Sequence, residues 1–250
     1  MAVPWQITRD GYQLDLAGLR GTLALCGEAP GLRKLSLAWG KETFRWPGPL
    51  LAVRTIQAEG KPPFSVGFPP ERPDHRLRPN LLDIQLDETN RCPVRLQIYW
   101  STARARQIDM EVLATTVHEF GKLEVVTWSS LPAKETTARS ECLVRVSAER
   151  GRWIDVCEAP RVGADWMVVP RDRDAAALTL DGRSPSLDES ILTPPFHSPI
   201  VCYRPAGQSW SYVEMTHPDD CVRIIAQCER GKVSWGFGLF GLDIEKGVIL

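Results

Sequence analysis

The 250-residue sequence predicts an all-β protein, an antiparallel β-sandwich (supersandwich-like) with long Pro-rich loops and few, short helices. Three observations carry that expectation. Apolar residues recur two apart with polar residues between them, the spacing of half-buried strands. No window keeps the i, i+3, i+4, i+7 spacing of an amphipathic helix for more than about two turns before Pro, Gly or a β-branched run interrupts it. Turn-forming residues separate the alternating runs at hairpin distances.

Taken in order, Leu14 and Leu16 mark an early strand, and Trp39-Gly40-Lys41 marks a turn between two strand-like segments. Residues 60–79 contain Pro62, Pro63, Pro69, Pro70, Pro73 and Pro79, which remove ladder donors and predict a long loop. Leu82, Ile84 and Leu86, then Leu96 and Ile98, predict two more strands. His118 and Glu119 sit in a turn closed by Gly121, and a strand follows from Leu123 to Trp128. Further on, Leu178 and Leu180 predict a strand, Asp181-Gly182 a turn, and residues 181–199, with Pro185, Pro194, Pro195 and Pro199, a second long loop. Residues 200–204 and 211–215 read as the two arms of a hairpin, and Glu229-Arg230-Gly231 as the turn before the last strand. No repeat of fixed period occurs, so one sandwich domain over residues 1–250 is the simplest organisation.

Composition narrows the function classes. Hydrophobic residues are 43% and charged residues 24%, as in ordinary globular chains. With 30 Lys plus Arg against 31 Asp plus Glu, the net charge of -1 supplies no field to hold a phosphate backbone, so no nucleic-acid partner is expected. The first residues lack a basic segment followed by an apolar run, and no apolar stretch is long enough for a membrane span; a cytoplasmic protein with no membrane partner is the expectation. Seven cysteines without CxxC spacing argue against a zinc knuckle and a complete disulfide framework. Neither metal nor cofactor is expected. The apolar end Gly247-Val248-Ile249-Leu250 is a candidate for pairing with an edge strand of a second copy, which would give a homo-oligomer.

Proton chemistry concentrates in Tyr212-Val213-Glu214-Met215-Thr216-His217-Pro218-Asp219-Asp220, where a strand delivers a carboxylate to a turn bearing an imidazole and two more carboxylates. If the hairpin pairs residues 200–204 with 211–215, Tyr203 or Arg204 faces Glu214 across the strands. A neighbouring arginine would lower the Glu214 pKa, whereas an apolar wall would raise it and make it a better base near neutrality. Pro218 and the lack of a second histidine at ligand spacing argue against zinc. His75, with Arg76 and Arg78, lies in a basic stretch suited to binding a polyhydroxylated or anionic ligand. Gly236-Phe237-Gly238-Leu239-Phe240-Gly241 matches GxGxxG, but only nine residues follow it, too few for the rest of a dinucleotide unit; a glycine-rich final strand or bulge is the better account.

Residues 213–220 resemble the late strand and Pro-containing turn of aldose 1-epimerases and other galactose-mutarotase-like proteins. The resemblance implies a β-supersandwich fold and a sugar substrate, with Glu214 as the base that takes the anomeric hydroxyl proton and a histidine as the acid at the ring oxygen. The region corresponding to the histidine-bearing element is 127–132, which holds no histidine. The expected catalytic set is therefore Glu214 as base with His197 or His217 as acid. Arg204, Tyr203, Trp210, Trp235, Arg78 and His75 are the expected substrate contacts, the two tryptophans as site walls. The function so predicted is that of a carbohydrate-active protein, a sugar mutarotase, epimerase or lyase working by proton transfer. The alternative is a non-catalytic carbohydrate-binding or assembly module on the same sandwich.

Overall fold

A computed structural model describes residues 4–9, 11–24, 29–46, 48–67, 73–89, 92–102, 104, 107–118, 120–132, 141–147, 152–155, 189–192, 199–204, 210–229 and 232–244. Among them are nineteen strands and no helix, and the registered pairings are antiparallel: the fold is all-β and β-sandwich-like. No helix long and apolar enough to cross a membrane occurs among the described residues. The chain forms two compact units, Met1–Thr127 with Leu242–Leu250, and Trp128–Gly241.

In the first unit, β1 (Trp5–Thr8), β2 (Gly11–Leu16), β3 (Leu19–Ala24), β4 (Leu32–Trp39) and β5 (Glu42–Trp46) pair in chain order as a meander. β6 (Ala52–Ala58) carries the short β7 (Phe64–Ser65). A second meander follows from β8 (Asp74–Arg78) through β9 (Leu81–Leu86) and β10 (Arg95–Ser101) to β11 (Asp109–Thr115). The alternation read from sequence is the alternation of burial: Leu96, Ile98 and Trp100 are buried, while Gln97 and Tyr99 between them and Ser101 after them are half-buried. β12 (Phe120–Pro132) starts in the first unit and ends in the second.

The second unit adds β13 (Glu141–Ser147), β14 (Arg152–Asp155), β15 (Glu189–Leu192), β16 (Ile200–Arg204), β17 (Tyr212–Met215), β18 (Cys221–Glu229) and β19 (Lys232–Ile244), whose last residues belong to the first unit. One sheet has the order β14-β13-β16-β17. Within the unit the other strands run β15-β18-β19-β12. Val201, Tyr203, Ile224, Val233, Trp235 and Phe237 form its core.

Both Pro-rich stretches contain strands where loops were expected. In residues 60–79 the prolines flank strands rather than interrupt them: Pro63 precedes Phe64, Pro73 precedes Asp74, and Pro79 follows Arg78. A proline outside the ladder costs no strand hydrogen bond. Residues 189–192 form β15 within the second stretch. The predicted strand at Leu178 and Leu180, the turn at Asp181-Gly182, His197 and the end Gly247-Val248-Ile249-Leu250 lie outside the described residues. The glycine-rich GxGxxG segment is strand β19, with Phe240 at φ +77° and Gly241 at φ +63° beside a bulge in β18.

Candidate functional site

Glu214 reaches its environment through the β16–β17 hairpin. The register pairs Ile200 with Met215, Val201 with Glu214, Cys202 with Val213 and Tyr203 with Tyr212. Val201, rather than Tyr203 or Arg204, therefore faces Glu214. Successive strand residues point to opposite faces, so Tyr212 and Glu214 turn inward, while Val213 and Met215 are 47% and 65% exposed. Tyr203 lies on the inward face as well, and is buried.

The inward groups meet β12 and β19. Glu214 is only 6% exposed. Its Oε2 accepts hydrogen bonds from Trp235 Nε1 at 3.0 Å and from the Tyr212 hydroxyl at 3.1 Å, and the Ser129 hydroxyl bonds the same carboxylate. Trp235 stacks on Tyr203 with ring centroids 6.4 Å apart and meets Tyr212 at 5.9 Å. The Tyr203 hydroxyl donates to the carbonyl of Pro132, and Ser234 Oγ donates to Ser130 Oγ at 3.0 Å, tying β16 and β19 to the end of β12.

Burial pushes the Glu214 carboxyl above the ordinary carboxylate range, against the opposing effect of hydrogen bonds from Ser129, Trp235 and Tyr212. Burial, followed by the charge and hydrogen bond of Glu214, holds the Tyr212 phenol well above its usual value. Burial thus outweighs the three hydrogen bonds at Glu214, and Val201 rather than an arginine stands opposite it in the register. Such a carboxyl can hold a proton in a low-dielectric setting, the property a general acid or base near neutrality requires.

The other expected site residues are distributed differently. His217 is exposed on the turn after β17; its Nδ1 accepts from the Asp219 backbone N–H at 3.3 Å and lies 3.6 Å from the Asp219 carboxylate. That turn is closed by Asp220 N–H to the His217 carbonyl at 3.2 Å. Trp210 is buried at 9% and Trp235 fully buried, so both belong to packed interior rather than to an open wall. Arg204 pairs with Glu141 in the backbone register, and its side chain lies outside the described residues, as does His197 altogether. His75 and Arg78 belong to β8 in the first unit, where His75 packs edge-on against Tyr12 at 5.2 Å and Arg78 is exposed. Among the described residues no group of three or more His, Cys, Asp and Glu side chains converges to hold a metal ion.

Ser129 was not anticipated as a partner of Glu214. It falls inside residues 127–132, the segment aligned by resemblance with a histidine-bearing element, and it supplies a hydroxyl there. Its small side chain beside Trp128 was the available signal. Comparison of the chain with family models, with curated proteins and with solved structures gives no match. The class is therefore that defined by the fold itself, all-β and sandwich-like.

Proposed function

We propose that the protein is a non-catalytic carbohydrate-binding module of the sandwich class. The observation that carries the choice of binding over catalysis is the enclosure of Glu214: the carboxylate is buried, shares one oxygen between two aromatic donors, and also bonds Ser129. A general base must reach the proton it removes. This carboxylate is instead occupied in joining β17 to β12 and β19. The carbohydrate class is supported by the resemblance over residues 213–220 and by the all-β architecture, and the near-zero net charge favours a neutral ligand over a polyanion. A cytoplasmic setting is part of the proposal, supported by Cys92 and Cys221, which remain thiols and donate to backbone carbonyls.

Mutarotase or epimerase activity is the second reading, favoured by the raised proton affinity that burial gives Glu214. Polarimetry of α-D-glucose and α-D-galactose separates the two. For the binding module, the wild-type protein leaves the spontaneous rate of anomer interconversion unaltered while retaining a glycan on an array. Acceleration that disappears in Glu214→Gln would replace binding by catalysis.

A further inference from the structure

The solvent-facing side of the β8–β11 meander carries a second constellation, formed by residues far from Glu214 in sequence. Register places Arg76 opposite Asp83, Asp83 opposite Tyr99, and Tyr99 opposite Glu111, one row across four strands. Gln97 lies two residues from Tyr99 along β10, and Arg78 two residues from Arg76 along β8, both on the same face. The opposite face buries Leu82, Ile84, Ile98 and Trp100. The row therefore rests on a packed, regularly paired sheet, which holds its side chains at fixed spacing before any ligand arrives.

A polar outer face is common in antiparallel sheets, and two features set this one apart. Asp83 is only 9% exposed although it is a carboxylate, and both its oxygens accept from a single nitrogen, Gln97 Nε2, at 3.0 and 3.2 Å. A carboxylate offers about four acceptor positions and Gln97 meets each oxygen once, so acceptor capacity remains. Tyr99, half-buried at the centre, is the aromatic ring of the row, and the charges of Asp83, Glu111, Arg76 and Arg78 all act on its hydroxyl. Two guanidiniums and two carboxylates surround one ring.

That combination selects among ligands. A sugar hydroxyl both donates and accepts, so carboxylates and guanidiniums on one face satisfy it in either sense, while the C–H face of a pyranose covers an aromatic ring. For an anionic glycan or a phosphate backbone, repulsion by Asp83 and Glu111 offsets attraction by Arg76 and Arg78, so the face offers it no net field. We propose that this face binds a neutral saccharide, with one pyranose ring stacked on Tyr99 and its hydroxyls held by Arg76, Arg78, Asp83 and Gln97. The assignment rests on the carbohydrate-binding reading above and locates its site.

The test is an array of neutral and anionic glycans probed with the intact chain, followed by titration calorimetry with the best neutral oligosaccharide. Loss of the ring in Tyr99→Ala is expected to weaken binding by about tenfold or more, and Tyr99→Phe, which keeps the stacking surface, to stay within about threefold of wild type. Circular dichroism establishes that Tyr99→Ala folds; if it does not, Gln97→Ala serves instead, with an expected loss of about threefold or more. Wild-type affinity in folded Tyr99→Ala, or in Gln97→Ala where that variant replaces it, would overturn this face and leave the binding reading standing. Failure of the wild-type chain to retain any neutral glycan would overturn both.

Discussion

Glu214 is a buried carboxylate whose chemistry departs from that of a solvated side chain. Because burial raises its pKa, the folded chain holds the Glu214 proton more tightly than the unfolded chain does. Its contribution to stability is fully present below the ordinary carboxylate pKa, declines as pH rises through the raised folded value, and is absent above it. Glu214→Gln keeps the shape and an acceptor oxygen but has no proton to lose. Urea unfolding from about pH 4.5 to about pH 8 should therefore show the wild type losing stability relative to the Gln variant as pH rises; parallel curves would mean that burial does not control this group. Glu214→Ala differs in kind, since it strands the Trp235 N–H and the Tyr212 hydroxyl, both now bonded to Oε2. With the Ser129 hydroxyl, which also loses this carboxylate, three deprived groups and a cavity should cost about 3 kcal/mol or more, read as a lower urea midpoint.

Hairpin turns decide how strands of this chain find their partners, and two of them separate strain from simple preference. The β2–β3 connection has two residues, Ala17 at φ +47° and Gly18 at φ +92°, with Leu16 paired to Leu19, the positive-φ pair whose twist suits a tight hairpin. A Cβ on Gly18 would lie 2.9 Å from the Ala38 carbonyl oxygen, whereas one on Gly40, at φ +62°, would meet nothing within 4 Å. Gly40→Ala should cost about 1 kcal/mol, from φ alone, and Gly18→Ala about 2 kcal/mol or more, from φ and the backbone contact together. Thermal unfolding of the two variants would reveal equal losses if the contact were unimportant. Gly40 was legible in the sequence because Trp39-Gly40-Lys41 interrupts two alternating runs; Ala17-Gly18 was not, because alanine rarely marks a positive-φ position. The strands at Leu82 and Leu96 were legible from period-two burial. β8 was hidden because prolines at both of its ends resemble a loop. Glu214 could be singled out as a carboxylate on a strand, yet its partners could not: Ser129 lies just past the strand read from Leu123 to Trp128, Trp235 sits just before the glycine-rich segment read as the last strand, and neither reading says which faces meet.

At the scale of the whole molecule, charge balance links composition to the kind of ligand the protein can hold. Thirty basic and thirty-one acidic residues leave a net charge of -1, and the row on β8–β11 repeats that balance locally with Arg76, Arg78, Asp83 and Glu111. A ligand held through net ion pairing releases counterions, and its affinity falls steeply as salt rises. A neutral saccharide held by hydrogen bonds and stacking releases none, and exposed charges more than a Debye length apart contribute little in any case. The proposed saccharide face therefore predicts an affinity for a neutral oligosaccharide that changes by less than about threefold between about 50 and 500 mM sodium chloride, with heparin unretained throughout. Calorimetry across that series gives the slope directly. A drop of tenfold or more would mean that the guanidiniums act as net positive charge rather than as one half of a balanced pair, and would shift the ligand class from neutral to acidic sugars.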